Sequence, residues 1–142
     1  MTPPDDHTLL RRAIALAAKA RTGGDPPFGS LLAAPDGTVL AEEHNTTRTD
    51  QDITAHPELK LARWAARELD AATAAETTMY TSCEPCGMCQ AVIQWAGLRR
   101  VVYALSNDQL LDIRPGSGRP PVPQHGPALF DEARAVVEAY YR

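Results

Sequence analysis

The chain has no excess of basic residues, no long apolar run and very little cysteine. Its 142 residues carry 14 Lys and Arg against 18 Asp and Glu, which gives a formal net charge of −4. A net negative charge does not attract a polyanion. It therefore weighs against a nucleic-acid substrate and favours a small neutral one. No apolar run approaches the length of a membrane span, and the first ten residues lack the basic and apolar regions of a signal peptide.

All three cysteines lie within one seven-residue stretch, Cys83 to Cys89. A secreted disulfide framework usually spreads an even number of cysteines along the chain. The cluster therefore indicates reduced thiols and a cytoplasmic protein. The length predicts a single domain, residues 1–142, built around one core.

Hydrophobic periodicity and turn residues predict alternating helices and strands. Asp36 and Gly37 mark a hairpin turn. Thr54 is the predicted cap of the second helix, with Pro57 in its first turn. The proline-rich stretch 112–126 predicts an irregular loop. The predicted helices span 7–21, 54–69, 86–96 and 127–142, and the predicted strands span 28–34, 39–45, 77–82 and 99–105. This order predicts an α/β fold in which helices cover a mixed sheet.

Four side chains carry the chemistry that the sequence predicts. Cys86 and Cys89 are three residues apart at the start of a helix, so their thiols share one face near its positive end. His56, near another helix start, is the candidate third donor, and Glu58 follows it by two residues. Cys83 is the alternative fourth ligand of a closed structural site, although Pro85 separates it from the helical turn of the other two.

Three protein ligands would leave a fourth position on zinc for water, which is the mark of a catalytic site. Zinc lowers the pKa of bound water to about 7, and a carboxylate beside it can take up and pass on a proton. Glu58 fits that role. A redox role for the thiols would leave the His-x-Glu pair unexplained. His-x-Glu combined with Pro-Cys-x-x-Cys is typical of zinc deaminases that act on bases.

Four stretches between Pro26 and Ala104 resemble the cytidine deaminase-like superfamily, in the branch of guanine, cytosine and tRNA adenosine deaminases. They are "PPFGSLLAAPDG", "HNTTRTDQDITAHPE", "MYTSCEPCGMC" and "IQWAGLRRVVYA". The resemblance implies a three-layer α-β-α sandwich around a mixed five-stranded sheet, one Zn²⁺ per chain and a homodimer. It also implies ligand roles for His56, Cys86 and Cys89, and a proton-shuttle role for Glu58.

The resemblance further implies substrate contacts from the Asn45 side chain and the Ala55 backbone. Phe28 and Trp95 resemble aromatic residues that flank the purine in guanine deaminases, although core packing alone could explain both. Two features depart from the family pattern. Pro57 stands where the family has alanine, and the stretch after residue 109 lacks the usual acidic, aromatic-rich loop. Asp108 or Asp112 is a candidate replacement acceptor, and Arg114 and Arg119 are candidate contacts to a carbonyl or an anionic group.

The expected function is zinc-dependent hydrolytic deamination of a free amino-heterocyclic base, with guanine favoured. The alternatives are a cytosine or nucleoside deaminase, a tRNA adenosine deaminase that binds a flipped base, and a non-catalytic zinc-stabilised binding domain. The acidic composition weighs against the tRNA alternative. Glu58 weighs against the binding domain, because a structural zinc needs no free carboxylate.

Overall fold

The computed structural model describes residues 5–116 and 118–142. Ten elements follow one another along these residues. They are α1 (Asp6–Thr22), β1 (Gly29–Ala33), β2 (Val39–His44), α2 (Pro57–Glu68), α3 (Ala71–Glu76), β3 (Thr78–Cys83), α4 (Gly87–Trp95), β4 (Arg100–Leu105), α5 (Asn107–Ile113) and α6 (Phe130–Tyr141). None of the helices in the described ranges is long and apolar enough to span a membrane.

One mixed sheet has the strand order β2-β1-β3-β4. Strand β1 pairs antiparallel with both β2 and β3, whereas β3 and β4 run parallel. The α/β fold with a mixed sheet is confirmed, but the prediction of five strands is wrong for the described residues. The sequence itself predicted four strands, and the fifth came from the resemblance. After β4 the chain forms α5 and then an exposed stretch without regular structure.

Helices cover both faces of the sheet, with α1 on one side and α2 and α4 on the other. Strand β1 is buried along its whole length, and its alternating side chains enter two different cores. Leu31 packs in a cluster with Leu9 on the α1 side. Leu32 packs with Leu61 and Met79 on the α2 side. The period of two in β1 therefore joins the layers into one sandwich.

Gly29 allows α1 to approach the start of β1 closely. A Cβ atom at this position would lie 2.5 Å from both the carbonyl oxygen of Ala13 and the amide nitrogen of Ala17. These contacts are far shorter than van der Waals distances, so only glycine fits between helix and strand here. Because Phe28 precedes this point, the close approach also fixes where its side chain leaves the sheet.

The structure moves the start of the second helix. Helix α2 begins at Pro57, and His56 rather than Thr54 is its N-cap. The residue before a proline is disfavoured in the helical region, and His56 accordingly has extended backbone angles. The Thr54 hydroxyl instead donates to Asp52 Oδ1 at 2.7 Å.

Two short helices, α3 and α5, were not predicted from the sequence. Asp70 caps α3 by accepting a hydrogen bond from the Thr73 amide at 2.7 Å. Helix α5 begins with a complete capping box between Ser106 and Gln109. A Ser-x-x-Gln pattern is a recognised start signal, so the sequence did contain the evidence for α5.

The C-terminal part of the chain stands apart from the two cores. The predicted irregular stretch 112–126 is wrong for its first two residues, which belong to α5, and is confirmed for the described residues after them. The final helix is confirmed as α6. The side chains of α6 are exposed along nearly its whole length. They include the apolar residues Phe130, Val136 and Tyr140. The α6 helix consequently presents an uncovered apolar surface.

Candidate active site

Two helix starts place the three predicted metal ligands together. His56 is the N-cap of α2, Cys86 is the N-cap of α4, and Cys89 lies in the first turn of α4. Neither cap residue uses its side chain to cap its own helix, so the imidazole and the thiol remain available as ligands. The positive ends of both helix dipoles face the site, which favours thiolate over thiol.

The spacing of these donors suits a tetrahedral metal. His56 Nδ1 lies 3.7 Å from Cys86 Sγ and 3.5 Å from Cys89 Sγ. Bonds of about 2.3 Å to sulfur and about 2.0 Å to nitrogen at tetrahedral angles separate such donors by about 3.5 Å. All three ligand atoms lie within 4.8 Å of one another. The donor set therefore fits Zn²⁺ in both its chemistry and its dimensions.

Cys83 is not a member of this group of ligand atoms. Its side chain is buried at the end of β3, and burial raises the pKa of its thiol. Among the described residues the group has three members, which leaves one tetrahedral position open.

The ligand atoms also interact with one another directly. A hydrogen bond from Cys89 lowers the pKa of Cys86, and His56 lowers it further. The Cys86 thiolate in turn raises the pKa of His56. The contacts with Cys89 and His56 thus stabilise the thiolate form of Cys86.

Glu58 is the second residue of α2, beside the ligands but outside their group. Its side chain lines the same cavity as His56 and Cys86, although the residue is only 6% exposed. Burial is the main cause that raises the pKa of Glu58 to about 7. A carboxyl group with a pKa near neutrality can both accept and return a proton, which is what general acid–base catalysis requires.

The ligands and Glu58 form one end of a cavity of about 300 Å³. This volume lies at the lower end of the range of small-molecule sites, about 300–1,000 Å³. Apolar walls come from Phe28, Leu110 and Leu111, and polar groups come from Asn45 and Arg114. The cavity is therefore mostly apolar, with a few polar groups in its lining.

Asn45 presents a hydrogen-bond donor to this cavity. It is 2% exposed, and its Oδ1 accepts from the Thr47 amide at 2.8 Å and from the Thr47 hydroxyl at 2.9 Å. A backbone amide can only donate, so the atom that faces it must be the oxygen. The side-chain NH₂ group of Asn45 is left for a ligand, and the matching ligand atom must be an acceptor.

Of the predicted substrate-binding residues, Phe28 and Asn45 line the cavity and three others do not. The Ala55 carbonyl accepts from the Thr46 amide at 3.1 Å and keeps one lone pair, so its ring contact stays a prediction. Trp95 is 80% exposed at the far end of α4, about 9 Å along the helix from Cys89. Asp112 is exposed on α5. Roles for Trp95 and Asp112 also stay predictions.

One wall of the cavity was missed by the sequence reasoning because α5 was missed. Asn107, Leu110, Leu111 and Arg114 all line the cavity. Their spacing of three, four and seven residues places them on one helical face, whereas Asp112 lies off it. The same spacing, read together with the capping box at Ser106, could have identified this wall.

An α/β sandwich with a His-Cys-Cys site and a buried glutamate beside it defines a zinc-dependent hydrolytic deaminase. Comparison with known proteins names the family. The family model described as "Cytidine and deoxycytidylate deaminase zinc-binding region" matches residues 3–105, and the chain belongs to this family. The family binds zinc, and the His-Cys-Cys group of this chain could hold one such ion.

The relatives are named for different substrates. The chain is 35% identical to a probable cytosine deaminase of Schizosaccharomyces pombe over 119 residues, which are 82% of this chain and 70% of that protein. It is 41% identical to guanine deaminase of Bacillus subtilis over 99 residues, which are 69% of this chain and 63% of that enzyme. The crystal structure of guanine deaminase from Bacillus subtilis matches with a TM-score of 0.78 at 27% identity, covering 98% of this chain and 96% of that one.

Proposed function

We propose that the protein hydrolyses the exocyclic amino group of a free amino-heterocyclic base, and that guanine is its substrate. The observation that carries the proposal is the position of Glu58. A buried carboxyl group lines a small apolar cavity directly beside the three zinc ligands, with Phe28 on its wall. A flat ring between Phe28 and the leucines of α5 would present its amine-bearing carbon to this end of the cavity.

The residues of the chain have separate tasks in this reaction. Zinc, when bound by His56, Cys86 and Cys89, supplies a water of lowered pKa at its open position. Glu58 takes a proton from that water and places one on the ring nitrogen as the new C–O bond forms. Glu58 then moves the remaining proton of the added hydroxyl group to the amine, so that the C–N bond breaks and ammonia leaves. Asn45 holds the ring by donating to one of its acceptors.

Guanine is favoured by the donors at the edge of the cavity. The Asn45 NH₂ group is a donor, and the Arg114 guanidinium lines the same cavity. No hydrogen bond or ion pair of the Arg114 guanidinium occurs among residues 5–116 and 118–142. Two donors suit a ring that carries a carbonyl oxygen, as guanine and cytosine do, better than adenine, which has none. The name of the Bacillus subtilis relative also supports guanine.

The test is a screen for ammonia release by the zinc-loaded protein. Guanine, cytosine, adenine, their nucleosides and a tRNA are supplied at equal concentrations, and 2-aminopurine is included because it is guanine without the carbonyl. We expect turnover of guanine and at least tenfold slower turnover of 2-aminopurine. Release of ammonia from nucleosides alone, or from tRNA but not from free bases, would contradict the proposal.

We also propose that the protein is a cytoplasmic homodimer with one functional domain in each 142-residue chain. The three reduced cysteines support the cytoplasmic location. The exposed apolar residues of α6 support a dimer, because they are surfaces that a second copy could bury. Light scattering coupled to size-exclusion chromatography measures the mass directly, and a mass near 15.4 kDa would contradict the dimer.

A further inference from the structure

Lys60 occupies an unusual place between the helix that carries the catalytic groups and the loop that carries Asn45. It lies on α2, which also contains Glu58 and is capped by His56. The loop after β2 contains Asn45, whose backbone amide donates to the Phe28 carbonyl at 2.9 Å. Asn45 and Glu58 thus lie in different segments. A contact between these segments is needed to fix the distance between the two side chains.

The Lys60 ammonium group contacts the residues on both sides of Asn45. Lys60 Nζ donates to the His44 carbonyl at 2.8 Å and to Thr46 Oγ1 at 3.0 Å. It also pairs with the Glu43 carboxylate at 2.8 Å. An ammonium group has three N–H donors, and these three acceptors use all of them.

This arrangement is more than a surface ion pair. The Lys60 side chain is 23% exposed, and two of its three acceptors are uncharged: the His44 carbonyl at the end of β2 and the Thr46 hydroxyl in the loop. Hydrogen bonds from a charged donor are roughly twice as strong as neutral ones. Because the acceptors flank Asn45, a shift of the loop by one ångström would break at least one of these bonds.

We propose that Lys60 is a positioning residue that acts through Asn45. It ties the donor that reads the substrate ring to the helix that carries Glu58, so that the ring is held with its amine-bearing carbon at the metal. This inference rests on the proposed function for its catalytic consequence, whereas the link between Lys60 and the Asn45 loop is a property of the fold.

The test combines Lys60→Met with Asn45→Ala in a double-mutant cycle. Loss of the tie misplaces one substrate hydrogen bond, so Lys60→Met should raise KM by about tenfold and change kcat by less than about threefold. In the Asn45→Ala background the same change should alter kcat/KM by less than about twofold. Lys19→Met is the matched control, because it removes the only other lysine from an exposed position on α1.

A second measurement does not depend on any substrate. The side-chain amide of Asn45 gives two ¹⁵N–¹H resonances, which are identified by their loss in Asn45→Ala. These resonances should shift or broaden in Lys60→Met and stay in place in Lys19→Met. If no base is deaminated, the proposed function fails, and the amide resonances still report whether Lys60 holds Asn45.

Two results would overturn the inference. One is an equal loss of kcat/KM from Lys60→Met in the presence and in the absence of the Asn45 side chain. The other is an Asn45 amide that keeps its resonances in Lys60→Met. Should Lys60→Met not fold, Thr46→Val removes one of the three acceptors and allows the same comparison with a smaller expected loss.

Discussion

Replacing Glu58 with glutamine is the most direct test of the chemistry. Glutamine keeps the shape and the packing of a side chain whose residue is 94% buried, but it cannot accept the proton. The other carboxylate that lines the cavity is Glu84, and its Oε1 already accepts from the Asn107 amide at 2.9 Å. No second base stands ready among the described lining residues. We therefore expect a loss near the upper end of the usual range for general acid–base catalysis, about 10²–10⁴-fold in kcat.

A loss of that size raises the activation barrier by about 3–5 kcal/mol. Ammonia release from the best substrate of the screen measures it, and zinc content and thermal melting show whether the site and the fold remain intact. Glu68→Gln, at the exposed end of the same helix, is the matched control and should behave like the wild type. A Glu58→Gln protein with full zinc and kcat within tenfold of the wild type would refute the role assigned to Glu58.

Three further predictions concern the metal, the core and an ion pair. Cys89→Ser should abolish stoichiometric zinc binding, because Cys89 belongs to the ligand group. Cys83→Ser should keep one zinc per chain, because Cys83 does not belong to it. Gly29→Ala should lower the free energy of unfolding by about 1–3 kcal/mol, since the new Cβ would lie 2.5 Å from backbone atoms of α1. The Tyr80 hydroxyl, followed by an arginine of β4, lowers the pKa of Asp6. A lowered carboxyl pKa stabilises the fold above the unfolded value of about 3.9, so Asp6→Asn should reduce the melting temperature at pH 7 but not below about pH 3.

Each of these predictions has a measurement that could contradict it. Zinc content is measured after dialysis. Zinc retained by Cys89→Ser, or lost from Cys83→Ser, would contradict the ligand assignment. Gly23→Ala is the control in urea denaturation, because its Cβ would meet nothing closer than 3.5 Å. Equal costs at positions 23 and 29 would contradict the close approach of α1. A melting difference for Asp6→Asn that persists at pH 3 would show that the charge of Asp6 is not its source.

Local patterns were enough to predict the main elements and the grouping of His56, Cys86 and Cys89. The spacing of apolar residues in α1 is a periodic feature that survives in the folded chain. Cys86 and Cys89 are three residues apart, so any helix that begins there brings their sulfurs together. His56 and Glu58 were identified by the residue types that zinc hydrolysis requires. These predictions depended on short-range geometry, which the spacing of residues along the sequence determines.

Features that depend on contacts between distant segments were predicted poorly or not at all. One wall of the cavity comes from α5, a seven-residue helix whose signal is too short to stand out. Trp95 was predicted at the ring because of its position in a motif; it does not line the cavity, and its role stays a prediction. The fifth strand was expected by analogy, and pairing with the sheet is decided by the tertiary fold rather than by the strand's own residues.

The sequence by itself determined the reaction class, because a metal with three ligands and a free carboxyl group needs only four residues of three types. Only the tertiary structure decided what surrounds the metal. The Asn45 amide is oriented locally by Thr47, whereas the three acceptors around Lys60 and the exposure of Trp95 depend on segments that are far apart in the chain. Long-range packing sets these relations, and no local pattern encodes them.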